Sequence, residues 1–487
     1  MYDRSRDRSI RRRYHRGLLR TNRKEAMHSS RRQLLKGAAA LGIVGALPSW
    51  YVAEALGQDQ PRQPKNADEL PTFALVGCGG RGRADAHDAQ RFGRIVAVCD
   101  VDSSHAEGAA VELSQSQREA DQKLGRKSVP GNLRVYDDFR KMIDTEKDLP
   151  IVLNGCPDHW HTLVNLYALR RGKDVYSEKP LTLTIDEGKR LVATVKETGR
   201  VLQTGTQQRS DPQFRLVCEL VRNGRIGKLQ KVTTIVPAGL RDGPFAAKPV
   251  PKNLNWDMWL GQAPKVEYVP QRCHTTFRFW YDYSGGTITD WGAHHNDIAL
   301  WGMGTERTGP QTVEARKLVE QIPGGYTAAS QYEVKYTWAN GVEHTCKTTT
   351  ADSIFGSLDK EPPPGERHNG IVFEGTDGWI YVRRGFSEAS KPEILKDPLP
   401  ADAKRLYASN NHMGNFFECV RTRKAPIAEA EIGHRSVSVC HLGSIALRLG
   451  RKLQWDPQKE QFVGDEEANR YVAREQRKPW TYEAVNV

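Results

Sequence analysis

Phe73-Ala74-Leu75-Val76-Gly77-Cys78-Gly79-Gly80-Arg81-Gly82 is the stretch that decides the fold of this chain. An apolar tetrapeptide reads as a buried strand, and a G-x-G-x-x-G turn follows it at once. Ala84 to Arg91 is helix-compatible, Ile95 to Cys99 is a second strand, and Asp100 ends that strand 18 residues after Gly82. In such a strand, turn and helix the first glycine permits the tight turn, the second lets the backbone approach a pyrophosphate, and the third lets helix pack on strand. The helix N-terminus adds N–H donors and partial positive charge. Asp100 is spaced to accept hydrogen bonds from adenosine ribose hydroxyls, and it would repel a 2'-phosphate, which favours NAD over NADP. A glycine-rich turn without a ligand is the plainer reading, and the flanking strand, helix and acid weigh against it.

The alternation continues outward. Leu133 to Tyr136, Ile151 to Asn154, Asp174 to Ser177 and Val201 to Thr204 read as strands, with helices at His159 to Arg171 and Asp186 to Thr198. This order predicts an α/β fold with a parallel, doubly wound sheet. Ligands of such sheets sit beyond the carboxyl ends of the strands. Three segments fall there: Cys156-Pro157-Asp158-His159-Trp160-His161, Glu178-Lys179-Pro180 and Gln207-Gln208-Arg209.

Farther along, Gly285-Gly286 opens a helix through Trp301. Asp290 and His294 are i,i+4 neighbours on one face of it, so the carboxylate can orient the imidazole or raise its pKa. His295 points about 100° away from His294 on a regular helix. His161 could approach the same cleft from the first domain. Histidines with Asp290 could hold a metal, but no tight metal-ligand spacing is present and none is expected. Trp256, Trp259, Trp280, Tyr281, Tyr283 and Trp291 make an aromatic section that suits either sugar stacking or an ordinary core. Ser330 to Trp338, Val342 to Thr348 and Ile371 to Ile380 read as antiparallel strands, and His412 to Arg421 and Ile432 to Leu449 as helices.

The chain has 487 residues and a formal net charge of +13. Residues 1–55 hold 13 basic and 4 acidic side chains, so the remainder is nearly balanced and nucleic acid is not an expected partner. Ser30-Arg31-Arg32-Gln33-Leu34-Leu35-Lys36 leads into a small apolar run, Gly37 to Leu47, followed by Ala53-Glu54-Ala55. The order of motif, run and A-x-A site resembles a twin-arginine (Tat) export signal, which implies the Tat machinery as a partner and a periplasmic or otherwise exported location. The run is too short for a permanent membrane span. Met27 offers an alternative start that would exclude residues 1–26. The eight cysteines are scattered without a CxxC pair, and no disulfide framework or cysteine zinc site is expected.

Gly77 to Gly82, Asp100, Pro157 to His161 and above all Glu178-Lys179-Pro180 resemble the Gfo/Idh/MocA family of glucose-fructose oxidoreductase and inositol dehydrogenase. The resemblance covers about residues 72–456. It implies a Rossmann domain at 72–205, preceded by a signal segment at 1–55 and a linker at 56–71. A C-terminal α/β domain with a large open, mainly antiparallel sheet follows at 206–456, then an extension at 457–487. It also implies that Lys179 lies near nicotinamide and substrate, where nearby positive charge should lower its pKa. His294 becomes the catalytic acid/base with Asp290 as its partner. The cofactor would be held by Gly77, Cys78, Gly79, Gly80, Arg81, Gly82, Asp100, Cys156, Pro157, His161, Glu178, Lys179 and Gln207. Arg209, Trp291 and His295 are the substrate candidates. The expected activity is NAD(P)-dependent oxidoreduction of a sugar, polyol or glycoside by a homo-oligomer, with NAD tightly held because an exported enzyme meets little free cofactor. Two alternatives are glycoside cleavage through transient oxidation and a non-catalytic carbohydrate-binding role.

Overall fold

The computed structural model describes residues 47–56, 70–126, 132–353 and 369–484. The twin-arginine motif, most of the linker and most of the segment 351–367 lie outside them. The chain divides into two units, Met1–Gln58 and Asp59–Val487. The first is described at helix α1 (Ser49–Leu56), which contains the Ala53-Glu54-Ala55 segment. Among the described residues no helix is long and apolar enough to cross a membrane.

The second unit begins with a six-stranded sheet in the order β3-β2-β1-β4-β5-β6. Its strands are β1 (Thr72–Val76), β2 (Arg94–Cys99), β3 (Arg134–Tyr136), β4 (Ile151–Asn154), β5 (Asp174–Ser177) and β6 (Leu202–Thr204). Every pairing is parallel, as the crossover helices require. These helices are α2 (Gly80–Ala89), α3 (Ser103–Lys123), α4 (Phe139–Thr145), α5 (Asp158–Arg170) and α6 (Ile185–Thr198). Strands β4 and β5, each paired on both sides, are buried along their whole length. Helix α3 was not evident from periodicity, because its buried hydrophobic positions are only Ala106, Ala109 and Leu113. Its start is fixed by Asp102, whose side chain accepts from Ser104 N at 2.9 Å and His105 N at 3.4 Å. A capping box between Thr184 and Glu187 starts α6, and Gly199 in the left-handed conformation ends it.

A nine-stranded sheet follows, in the order β13-β12-β11-β7-β10-β9-β8-β14-β15. It comprises β7 (Leu229–Ala238), β8 (Thr312–Lys317), β9 (Tyr332–Thr337), β10 (Glu343–Ser353), β11 (Gly370–Gly375), β12 (Trp379–Arg383), β13 (Phe386–Ala389), β14 (Leu453–Asp456) and β15 (Gln461–Phe462). Only β7 and β10 pair in parallel, so the sheet is mixed and mostly antiparallel. The later helices are α7 (Pro212–Arg222), α8 (Trp256–Leu260), α9 (Thr287–Met303), α10 (Pro392–Lys396), α11 (His412–Thr422), α12 (Ala430–Leu449) and α13 (Glu466–Asn469). Ile288 and Leu300 of α9 and Val439, Leu442 and Ile445 of α12 share a core with Val334 and Tyr336 of β9.

The two sheets are joined by more than the crossing at residue 205. Helix α11 returns to the first sheet, where the Phe417 ring lies 5.9 Å from Phe92 and 6.2 Å from Phe73. The tail returns to α5: Trp480 meets Trp160 edge-on at 5.2 Å, and Arg474 Nη2 donates to His159 O at 3.0 Å. The chain after Asp456 is therefore a sheet edge and a clasp on the first domain.

Candidate active site

A cleft of about 760 Å³ opens at the carboxyl ends of β1, β2, β4 and β5. At one end the glycine turn is built by contact. Gly77 has φ +87°, and a Cβ there would lie 2.5 Å from Cys156 N. A Cβ on Gly82 would lie 2.0 Å from Gly77 O, so this glycine seats α2 against the turn. Gly79 and Gly80 differ: a Cβ at either meets nothing within 4 Å, and both line the cleft. Open backbone at the N-terminus of α2 fits a pyrophosphate. Asp100 stands beside it with Oδ2 accepting from Cys78 N at 2.7 Å and Oδ1 from Asp102 N at 2.9 Å, and burial raises its pKa. The donor set fits a dinucleotide.

A segment of the second domain is tied to the loop after β2 at this end. Ser103 N donates to Asn253 O at 2.9 Å, Asn255 N to Val101 O at 3.0 Å, and Asn253 Nδ2 to Asp102 Oδ1 at 2.7 Å. His274, a non-glycine residue at φ +49°, brings Nε2 to 3.4 Å from Asp102 Oδ2 and its ring to 4.5 Å from that of His105.

At the other end the charges are arranged in pairs. Glu178 is buried and accepts from Arg81 Nε at 3.0 Å, Gln207 Nε2 at 2.8 Å and its neighbour Lys179 N at 3.2 Å. Burial alone would raise its pKa, but Arg81 and Lys179 hold it below the usual carboxylate value. Gly205 leaves room for that carboxylate, since a Cβ there would lie 2.4 Å from Oε1. Lys179 Nζ donates to the Asp290 carboxylate and, at 3.3 Å, to the Asp290 carbonyl. Arg278 Nε reaches the same Asp290 oxygen at 3.4 Å. Burial opposes ionisation of Asp290, and the two cations overcome it, so its pKa is lowered.

Asp290 is thus turned toward Lys179 rather than hydrogen-bonded to His294. His294 lies one helical turn on, lines the cleft, and has its buried Nδ1 without a hydrogen-bond partner. Burial, then the charges of Lys179 and Arg384, push its pKa well below the ordinary histidine value, so the ring is neutral near pH 7. The expected rise through a carboxylate does not occur.

The cleft brings together Gly77, Gly79, Gly80, Arg81, Asp100, Cys156, Pro157, Glu178, Lys179, Gln207, Asp290, Trp291 and His294. Five expected residues lie outside this lining, and three of them serve it from behind. Cys78 contributes its backbone N–H to Asp100, and Gly82 packs under Gly77. His161 faces the Pro180 and Cys156 carbonyls at 2.7 and 2.8 Å and fixes the two loops against each other. Arg209 is buried in a double hydrogen bond to Asp297 at 2.6 and 2.7 Å, beneath Trp301 at 5.0 Å, and does not line the cleft. His295 is likewise buried away from it, its ring tilted against Trp291 at 5.6 Å, with a pKa lowered to about 3 by burial. Neither is placed to touch substrate. Of the aromatic section, Trp259 and Trp291 reach the cleft, Trp259 from a core that it shares with Trp256, Trp280 and Tyr283. All eight cysteines are free thiols. Arg278 and Arg384 line the cleft without having been singled out in the sequence, where nothing marks one arginine from another.

A parallel sheet of order 3-2-1-4-5-6, a glycine turn open to a dinucleotide and a second mixed-sheet domain closing the cleft define a two-domain NAD-binding oxidoreductase. Residues 72–206 match "Oxidoreductase family, NAD-binding Rossmann fold", and residues 241–482 match "Oxidoreductase family, C-terminal alpha/beta domain". The chain belongs to the Gfo/Idh/MocA family of oxidoreductases. It is 24% identical over 323 residues to the scyllo-inositol 2-dehydrogenase (NAD(+)) of Bacillus subtilis, covering 66% of this chain and 81% of that protein. It is 28% identical over 211 residues to a glycosyl hydrolase family 109 protein of Saccharopolyspora erythraea, covering 41% of this chain and 44% of that one. Other inositol dehydrogenases are matched over 42 to 60% of their length. Among solved structures, the WlbA dehydrogenase of Bordetella pertussis in complex with NADH and UDP-GlcNAcA is alike in fold, with a TM-score of 0.55 at 17% identity over 80% of this chain and 99% of that one.

Proposed function

We propose that this chain is an exported oxidoreductase that uses NAD to oxidise or reduce a CH–OH carbon of a sugar or polyol. The observation that carries the reading is the imidazole of His294, held neutral by its surroundings and lining the cleft beside the Lys179–Asp290 pair. When bound, the nicotinamide supplies the hydride acceptor or donor. His294 is then the residue ready to accept the hydroxyl proton, because its ring is held unprotonated. Lys179, with Asp290 balancing its charge, stabilises negative charge on the reacting oxygen. Asp290 is a positioning residue for Lys179 and Arg278. Trp291 offers an apolar face for a sugar ring.

Asp100 supports NAD rather than NADP, and the twin-arginine motif supports export of a folded protein with its cofactor held in place. The open sheet supports a homo-oligomer, to be checked by light scattering on the purified protein. Similarity to the family 109 protein supports one second reading, cleavage of a glycoside with no net change in cofactor.

Extraction and identification of the bound nucleotide, followed by NADH formation on a panel of inositols, aldoses and glycosides, tests the assignment. A protein with no nicotinamide affinity would overturn it. Release of free sugar without NADH accumulation would favour the second reading. Cell fractionation of the tagged precursor tests export, which retention in the cytoplasm would refute.

A further inference from the structure

Arg384 stands at the tip of the β12–β13 hairpin, in a two-residue turn with Gly385 at φ +72°. The tip is exposed, yet the guanidinium lines the cleft and lies 5.0 Å from the Trp291 ring. In the amide orientation that satisfies both of its groups, Gln208 accepts from Arg384 Nε at 3.2 Å and donates to His294 O at 3.0 Å. The side chain is therefore aimed at the wall that carries Trp291 and His294.

The other guanidinium and ammonium groups of the cleft have carboxylate partners. Arg81 is paired with Glu178 and Asp85, and Lys179 and Arg278 share Asp290. Among the described residues lining the cleft, Arg384 alone of these has no acid in salt-bridge contact. Asp211, the acid whose charge it feels most, is occupied as the cap of α7, accepting from Gln213 N at 2.8 Å. The acids facing this end are spent as well, Glu178 and Asp290 on their cations and Asp158 on the Ser284 hydroxyl. Arg384 is thus the cation of this end that no carboxylate contacts.

We propose that Arg384 binds an anionic substituent of the substrate, so that the enzyme acts on an acidic sugar, with a uronate carboxylate as the group its planar fork fits. This specifies the substrate class of the oxidoreductase proposed above and rests on that reading. A carboxylate beside Trp291 leaves the neighbouring hydroxyl facing His294 and Lys179. A guanidinium receives such an oxyanion through two parallel N–H donors, which a lysine cannot match. A sulfate ester presents similar oxygens and is distinguished below.

The test is calorimetry on the cofactor-loaded full chain with matched pairs of methyl glycosides in the gluco, galacto and manno series. Each pair comprises the neutral sugar and its uronate, with the 6-sulfate as a third member, and binding is measured for wild type, Arg384→Gln and Arg384→Lys. At least one acidic member binds about 10- to 100-fold tighter than its neutral partner, the span expected of a hydrogen bond to a charged group. Arg384→Gln collapses that ratio toward 1, and Arg384→Lys leaves it intermediate. A preference carried by the sulfate rather than the uronate keeps the anion site and replaces the carboxylate. If no acidic member is preferred in any series, or if Arg384→Gln keeps the preference, the proposal falls. Parallel NADH measurements separate the two failures: turnover of neutral sugars with no acid preference sinks only the Arg384 assignment, and absence of bound nicotinamide sinks the oxidoreductase reading.

Discussion

At the scale of single residues, the site divides into side chains with partners and one without. Lys179, Arg278 and Asp290 satisfy one another, and His294 lines the cleft with a buried Nδ1 that has no partner. Replacing Lys179 with Met should lower turnover by about 10²- to 10⁴-fold, the usual range for a positioned proton-transfer or oxyanion group, while extracted NAD stays stoichiometric. Loss of cofactor together with activity would instead make the lysine structural. The pH profile should be equally telling. His294 has a lowered pKa, so its neutral form persists above that value and is lost only as the pH falls well below 6.5. The acid limb of kcat/KM should lie correspondingly low, and a limb near 6.5 that vanishes in His294→Asn would contradict the assignment. Arg209 belongs to another category. Arg209→Met should cost about 3–5 kcal/mol in a denaturant titration, because it strands a buried Asp297. The sequence placed Arg209 in the cleft because its segment lies past β6. Nothing in it announced that Asp297, 88 positions later, would turn the side chain inward.

At the scale of elements, the glycine turn and its strands were legible because each reflects a local rule: a buried run, a tight turn, a spaced acid. Strands β4 and β5 appear at the residues expected of them. Helix α3 escaped because its buried face is two alanines, one leucine, Gln117 and Asp121, and α11 was legible as a helix but not in its packing across to Phe73 and Phe92. Partners distant in sequence leave no periodic trace. The four glycines make a paired prediction. Gly79 has φ −69° and ψ 176°, which alanine tolerates, and its Cβ would point into the cleft. Gly79→Ala should fold with an ordinary melting temperature and bind NAD more weakly. Gly82→Ala drives a methyl into the Gly77 carbonyl and should lower the melting temperature as well. Equal thermal stability of the two variants would refute the division of roles.

At the scale of the whole molecule, the interior stores uncharged histidines. Burial lowers His159, His295, His344 and His441 to about 3 and His412 to about 4, with His294 also depressed. Such a group is neutral in the fold but takes a proton in the unfolded chain below about pH 6.5. The unfolded state then binds more protons, and stability falls as pH drops from 6.5 toward 4. Asp85, Asp100, Asp158 and Asp211, whose pKa values burial raises, act in the opposite direction but are fewer. Calorimetry should show a steadily decreasing melting temperature across that window, and a flat curve would count against it. The tie between Asn253 to Asn255 and the loop after β2 bears on time rather than on affinity. Its two backbone hydrogen bonds, to Val101 and Ser103, hold the second domain as a strap against the Asp100 end of the cleft. Exchange of labelled for unlabelled nucleotide should therefore be first order at a rate independent of competitor concentration, set by how often this strap opens, and Asn253→Ala should accelerate it.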